Sequence, residues 1–514
     1  MKDKIQIGVF ISIVAVIFIL YLPSILFSGF HGDDFTHLYR LGSPNLTTAL
    51  NRCWTGHVYG SAPDHNYRPV ANSLFTLLSQ LGGRAWMFHV FSVLLHAGSV
   101  YLLFCLLLQF KIPQKIAAWM VLVLAVHSSI AATILWATAM CYLVLAFFFL
   151  LSIYFLFQRK YSTGLLFYFL ALLSNEMAVM GLIPIVILFL KQHLNIKTAI
   201  WRSTGFFTVA VAFIAIRWCV LREPLTSATD VYFHFSGYSI MGFFRFAHWL
   251  MFPWPVEWTK MWLFLPIIGI AFYIPPIYFF LKRSSWHQLT ISLVWMIAFF
   301  IPVAGAPADW YVYLSLVGWS IFAAIIMKYT PAEWRMLFVL FFLLSGIITT
   351  LHQNINYIKA AAIANRQLKI IAEEPTDSLV IIGFPKTFIR APMLSTPGNL
   401  MNALKLIHNQ FKHVEYILPI VISHPDQNVT VSRENSDTWL FSTGSEYYPF
   451  FWIMHRDGFQ SSKFGDRLQI LSRNRFGIPD RVKMVRTDTD YTIWHHRKII
   501  KLSNEIKLKN PLEN

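Results

Sequence analysis

Apolar runs long enough to enter a bilayer fill most of the first 351 positions, and no other feature restricts the fold so strongly. A helix needs about 20 mainly apolar residues to cross the hydrocarbon core, fewer where it breaks or re-enters. About eleven such stretches are read, over 6–27, 86–109, 115–131, 137–157, 162–174, 177–191, 204–221, 261–281, 287–304, 310–328 and 334–351. Of the 514 residues, 56% are hydrophobic and 13% charged, whereas a soluble domain carries about 25% charged residues. This excludes intrinsic disorder and argues against a water-soluble enzyme. The first run follows Lys2 and Lys4. It is longer than a signal-peptide core and lacks a small-residue cleavage site, which marks it as an uncleaved anchor.

The formal net charge is +17, which on a soluble protein would suggest nucleic acid. Here the basic residues gather in one set of short loops: Lys2, Lys4, Lys111, Lys115, Arg159, Lys160, Lys191, Lys197, Arg202, Lys282, Arg283, Lys328 and Arg335. The loops around 132–136, 174–177 and 304–309 hold no Lys or Arg. The positive-inside rule then puts the N-terminus in the cytoplasm. Parity exports the long first loop, the 222–260 loop and everything beyond about 352. The charge is topological, nucleic acid is not an expected partner, and a bacterial inner membrane is the expected location. Cys53, Cys105, Cys141 and Cys219 form no CxxC or metal spacing. Cys53 and Cys219 fall on the exported side, where they either pair or remain free thiols.

Beyond 352 the character changes. Residues 353–373 read as an amphipathic helix, 379–383 as a buried strand, 399–409 as a helix and 414–421 as a second strand, with short strands at 429–432 and 439–441. The expected architecture is therefore an α-helical polytopic membrane core, 1–351, followed by a small exported α+β domain, 352–514, large enough for its own core. Runs such as His455-Arg456-Asp457 and His495-His496-Arg497-Lys498 read as a solvated basic face. The domain is expected to position or recognise an acceptor rather than perform chemistry.

Ionisable residues at membrane level are costly and mark function. Asp33, Asp34, Glu176 and Asp309 all fall at exported ends of spans in an acid-poor chain. In His31-Gly32-Asp33-Asp34 the glycine permits a sharp turn. Two adjacent carboxylates near an apolar surface need a cation, a metal or a substrate hydroxyl. Mg²⁺ or Mn²⁺ suits such a pair; alternatively one Asp caps the helix that follows. Arg68, Arg84, Arg217, Arg222, Arg245 and Lys260 lie on the same side, with His31, His37, His65, His89 and His96. The arginine fork grips phosphate in two places; for Arg217, inside an apolar run, the alternative is snorkelling toward the interface. His89 and His96 sit two turns apart on one helix face, which suits hydrogen bonding between helices or to a lipid phosphate more than a metal pair. The chain has no Gly-x-Ser-x-Gly, P-loop, GxGxxG or Cys/His metal cluster.

The order Asp33-Asp34, Tyr67-Arg68-Pro69-Val70, Phe88-His89-Val90, Leu94-Leu95-His96, His127…Trp136, 172–179 and Asp309-Trp310-Tyr311-Val312-Tyr313-Leu314 resembles the GT-C polytopic glycosyltransferases. Within them it is most similar to the tetratricopeptide-bearing membrane mannosyltransferases and their bacterial relatives. The resemblance runs over about 30–320. It implies a polyprenyl-phosphate-sugar donor and transfer on the extracytoplasmic face to a surface glycan, lipid or protein. It also implies a general base at Asp33 or Asp34, and a phosphate-binding or loop-positioning role for Arg68 beside Tyr67. Glu176 and Asp309 would line the same cavity, with Tyr311, His89, His96 and Arg217 as further substrate-side residues. Ser128, Ala132, Asn175, Trp310 and Ser315 depart from the family pattern, and a tetratricopeptide tail is absent. Two other readings stay open. One is a transporter or flippase for a lipid-linked glycan, which would show pseudo-repeats and mid-membrane charge. The other is an assembly subunit with a decayed catalytic core.

Overall fold

The computed structural model describes residues 2–42, 44–58, 66–191, 195–222, 237–254, 264–284, 286–304 and 308–373. Beyond these it describes 378–382, 385–388, 391–394, 397–410, 412–416, 420–422, 429–433, 438–443, 463–464, 468–473, 479–484, 491–495 and 498–502. The chain divides into two compact units, Met1–Ser28 with Arg40–Ile355, and Gly29–Tyr39 with Asn356–Asn514. The change of composition predicts one boundary near 352; the segment Gly29–Tyr39, which carries Asp33 and Asp34, also groups with the C-terminal residues.

The first unit is a helical, multi-pass membrane assembly. Among the described residues, six helices are long and apolar enough to cross a membrane: Gly8–Phe27, Ala85–Gln109, Ala137–Phe157, Ile196–Leu221, Leu265–Arg283 and Ala332–Glu373. The pair Gln114–Ala125 and Ser128–Leu135, bent by 51°, makes a seventh if it is one span. Four shorter apolar helices, Tyr161–Leu172, Glu176–Leu190, Thr290–Val303 and Tyr313–Tyr329, occupy the remaining runs.

The bend explains why 115–131 is not one straight span. At the break the Val126 carbonyl leaves the helical ladder and accepts a hydrogen bond from Thr350 Oγ1 at 2.9 Å. His127 starts the next turn, its Nδ1 accepting from Ser129 N at 3.4 Å, and Ser128 Oγ donates to the Pro253 carbonyl at 2.8 Å. Backbone groups in lipid need such internal partners, so a broken helix survives only where neighbours supply them. Gly346 lets the partner helix approach: a Cβ there would lie 2.8 Å from the Val126 oxygen. At the other interruption, Asn175 Oδ1 accepts from Met177 N at 3.0 Å and opens the second short helix.

This unit also holds helices outside the apolar runs. Leu46–Thr55 begins at Asn45, whose side chain accepts from Thr48 N, and ends at Gly56 with φ 70°. A Cβ at Gly56 would also meet Leu221 at 2.6 Å, so glycine serves both the left-handed stop and the close approach. Pro69–Gln80 has proline at its first position, and Val70 N donates to Leu173 O at 3.0 Å. Gly237–Met251 is a further helix, within the 222–260 stretch read as a loop.

Ala332–Glu373 is one continuous helix of 42 residues, where sequence reading expected a span over 334–351 and a separate helix over 353–373. At 1.5 Å per residue it is about 63 Å long, twice the hydrocarbon thickness.

The second unit is α+β. Its strands are β1 Ser378–Ile382, β2 Pro385–Phe388, β3 Ala391–Pro392, β4 His413–Tyr416, β5 Ile420–Ile422, β6 Val429–Arg433, β7 Thr438–Thr443, β8 Lys463–Phe464, β9 Leu468–Arg473, β10 Pro479–Met484, β11 Tyr491–His495 and β12 Lys498–Leu502. They form sheets ordered β12-β11-β1-β4, β6-β7-β10-β9-β8 and β3-β2-β5. The apolar run of β1 occupies an inner position, parallel to both β4 and β11, as a continuous hydrophobic strand should. The expected strand over 414–421 is two strands in different sheets, β4 and β5. His495 of β11 pairs with Lys498 of β12; His496 and Arg497, like His455-Arg456-Asp457, lie outside the described residues. Helix Pro397–His408 buries Leu400, Ala403 and Leu404, and residues 356–373 bury Tyr357, Ala360, Ala361, Ala364 and Leu368.

Candidate active site

In the first unit Arg68 and Glu176, both expected in one cavity, meet directly. Arg68 Nε and Nη2 donate to the two Glu176 oxygens at 3.0 and 2.8 Å, a two-pronged pair. The side chains are 20% and 12% exposed. The Val70–Leu173 backbone bond explains the meeting: it fixes the start of Pro69–Gln80 against the turn preceding Glu176. Arg68 Nη2 also reaches Asn66 Oδ1 at 3.3 Å, and Nη1 lies 3.6 Å from Cys141 Sγ. The guanidinium sits 5.8 Å from the centre of the Tyr142 ring, and Tyr142 meets Tyr311 edge-on at 5.3 Å. Tyr311 thereby joins the cluster. Asp309 opens the same short turn, Asp309–Tyr311, and is buried.

Burial alone would lower the Arg68 pKa, but the charges of Glu176, Cys141 and Tyr142 and the hydrogen bonds to Glu176 together outweigh it and hold the guanidinium protonated. Burial alone would likewise raise the Glu176 carboxyl. The Arg68 charge and hydrogen bonds, the Glu176 backbone and a further pull from Arg217 instead hold it below the ordinary carboxylate range. Glu176 thus lies in the field of two guanidiniums. Arg217 is 1% exposed, so it is packed inside the protein rather than reaching toward the interface. Tyr67 ties the loop to this helix: its hydroxyl donates to Trp54 O at 3.2 Å, and its ring lies 6.4 Å from Phe213, one turn before Arg217. Burial raises the Tyr67 hydroxyl pKa.

His96 belongs to the scaffold. Its Nε2 lies 3.2 Å from the Ala125 carbonyl and its Nδ1 2.7 Å from the Tyr313 hydroxyl. A carbonyl only accepts, so Nε2 carries the proton and Tyr313 donates to Nδ1. Both nitrogens are engaged between helices, which favours that reading over contact with a lipid phosphate. His89 is buried on the same helix. Cys53 is buried with its sulfur 3.4 Å from Thr76 Oγ1, and Cys219 is exposed. All four cysteines are free thiols, and no Cys53–Cys219 bridge is formed.

In the second unit the two aspartates have different surroundings. Gly32, with φ 48°, makes the turn between them and His31. Asp34 is fully buried, and its Oδ2 accepts from the His31 backbone N–H at 2.9 Å. His31 Nδ1 lies 3.0 Å from the Pro392 carbonyl, and its ring meets Tyr357 edge-on. Asp33 stands at the start of Asp34–His37, but its side chain makes no capping bond. It is half-buried, and its Oδ1 accepts from Asn399 Nδ2 at 3.0 Å. Among the described residues no group donates to its other oxygen. Each carboxylate thus has its own partner, the His31 amide for Asp34 and the Asn399 amide for Asp33. Among the described residues no group of three or more His, Cys, Asp or Glu is placed to hold a metal.

Sequence reading missed Asn66, Cys141, Tyr142 and Asn175 around Arg68, and Thr36, Asn399 and Asn402 around Asp33. Only Asn175 carried a signal, as a polar residue before an acid at a span end.

No protein-family model matches the chain, and no curated protein matches it. Among solved structures the chain is similar to ArnT from Cupriavidus metallidurans in two states. With ArnT bound to undecaprenyl phosphate, the TM-score is 0.44 at 12% identity, over 79% of this chain and 89% of that one. With ArnT in the apo state, it is 0.48 at 12% identity, over 80% and 86%. Neither is a tetratricopeptide-bearing mannosyltransferase, and that branch of the resemblance gains no support from them.

Proposed function

We propose that this chain is a membrane glycosyltransferase that moves a sugar from a polyprenyl-phosphate donor to an acceptor hydroxyl on the exported face. The observation that carries the reading is the Asp33 carboxylate, held at one oxygen by Asn399 and, among the described residues, without a donor at the other. A base presented this way can take the acceptor's proton as its oxygen attacks the anomeric carbon. The bond from that carbon to the donor phosphate breaks, its electron pair leaves with the lipid phosphate, and the configuration inverts. Because the Arg68 fork already grips Glu176 on both prongs, Arg68 suits loop positioning better than phosphate binding. The acceptor is a hydroxyl of a surface glycan, lipid or protein.

Purified protein in lipid discs, offered a panel of polyprenyl-phosphate sugars and an envelope extract, should release polyprenyl phosphate together with a glycosylated product detected by mass spectrometry. Absence of product with every donor would overturn the reading and favour an assembly subunit. The orientation is equally testable. Reporter fusions after Arg283 should score cytoplasmic and those after Glu373 exported, as the basic loops require; both on one side would reverse it.

A further inference from the structure

We propose that Asn399, on helix Pro397–His408, is a positioning residue that aims the Asp33 carboxylate through a relay starting at Asn402. Asn402 Nδ2 donates to Thr36 Oγ1 at 3.1 Å, and Thr36 Oγ1 donates to Asn399 Oδ1 at 2.7 Å. Asn399 Nδ2 then donates to Asp33 Oδ1 at 3.0 Å. The direction is fixed chemically. A hydroxyl has one proton, and with Asn402 donating to it, that proton goes to the Asn399 oxygen. Flipping the Asn399 amide would set its carbonyl oxygen against a carboxylate oxygen, acceptor against acceptor. Asn399 is 2% exposed, so water does not readily replace it. The consequence is asymmetric: Oδ1 is fixed and Oδ2 is left to meet a substrate proton. A region expected only to recognise an acceptor thus supplies the group that orients the base.

This inference rests on Asp33 being the base, and the experiment separates the two. Asn399→Ala should lower kcat about 10–100-fold, the scale of a misplaced catalytic group, with donor KM unchanged. Thr36→Val, which frees the amide to rotate, should give a smaller loss, and Thr36→Ser should restore the rate. In the Asp33→Asn background, Asn399→Ala should cost nothing further, because its effect passes through the carboxylate. Losses that add in the double variant would show a merely structural role and overturn the proposal, as would wild-type kcat in Asn399→Ala. Should Asn399→Ala fail to give a monodisperse protein, Thr36→Val and Thr36→Ser carry the same comparison, and equal rates in both would overturn it. An Asp33→Asn variant with wild-type turnover would instead remove the base assignment, and this inference with it.

Discussion

Asp33→Asn should lower sugar transfer about 10²–10⁴-fold, the usual worth of a general base, while donor binding persists. Asn has the shape of Asp but cannot take the proton. Because the Asp33 side chain makes no capping bond, a helix-start effect is not expected to contribute. Asp34 provides the contrast. It is buried and holds the His31 amide, so Asp34→Ala leaves a buried donor unsatisfied at about 1–3 kcal/mol. That variant should lose melting temperature in detergent before it loses turnover per folded molecule. Wild-type transfer by Asp33→Asn, or a turnover loss confined to Asp34→Ala with unchanged melting, would reverse the assignment.

Breaking the Arg68–Glu176 pair should give the largest stability effect in the membrane unit. Removing one partner strands a buried charge, at about 3–5 kcal/mol for fully buried pairs; the residual exposure of 20% and 12% places this one at the lower end. Arg68→Met and Glu176→Gln should each depress the melting temperature, and Arg68→Met with Glu176→Met should recover much of it. Arg68→Lys keeps the charge but loses the planar fork, so an intermediate value is expected. The pH dependence follows from the lowered Glu176 carboxyl. Its contribution is complete above the ordinary carboxylate pKa and is lost as pH falls through the depressed native value. The wild type should therefore lose stability in that acid window more steeply than Glu176→Gln. Single variants that melt like the wild type would mean the pair does not hold the loop.

The apolar runs are legible because a bilayer demands a length and a composition, and the helices fall where those runs lie. The break at Val126–His127 is not, because it depends on a Thr350 hydroxyl 224 residues away accepting the role of partner. Leu46–Thr55 and Pro69–Gln80 did carry local signals, with Asn45 and Gly56 bracketing the first and Pro69 opening the second. Those signals are weaker than a hydrophobic run and were overshadowed by it. Asp33 and Arg68 stand out as charges in an acid-poor, apolar chain. Asn399 does not, since an Asn in an amphipathic helix has no distinguishing period or charge, and its partner is 366 positions earlier.

The grouping of Gly29–Tyr39 with the C-terminal residues sets a schedule for biogenesis. The segment emerges early, yet the groups that fix it, Pro392 and Asn399, are made 361 and 366 residues after their partners. At bacterial-to-eukaryotic synthesis rates of about 5–20 residues per second, that delay is roughly 20–70 s. Throughout it, a ribosome-bound chain has threaded its first helices but lacks an oriented carboxylate, so transfer would begin only on near-complete molecules. Nascent chains stalled or truncated anywhere before helix Pro397–His408 would lack both partners, and the Gly29–Tyr39 segment in them should be cut earlier by added protease than in the full chain.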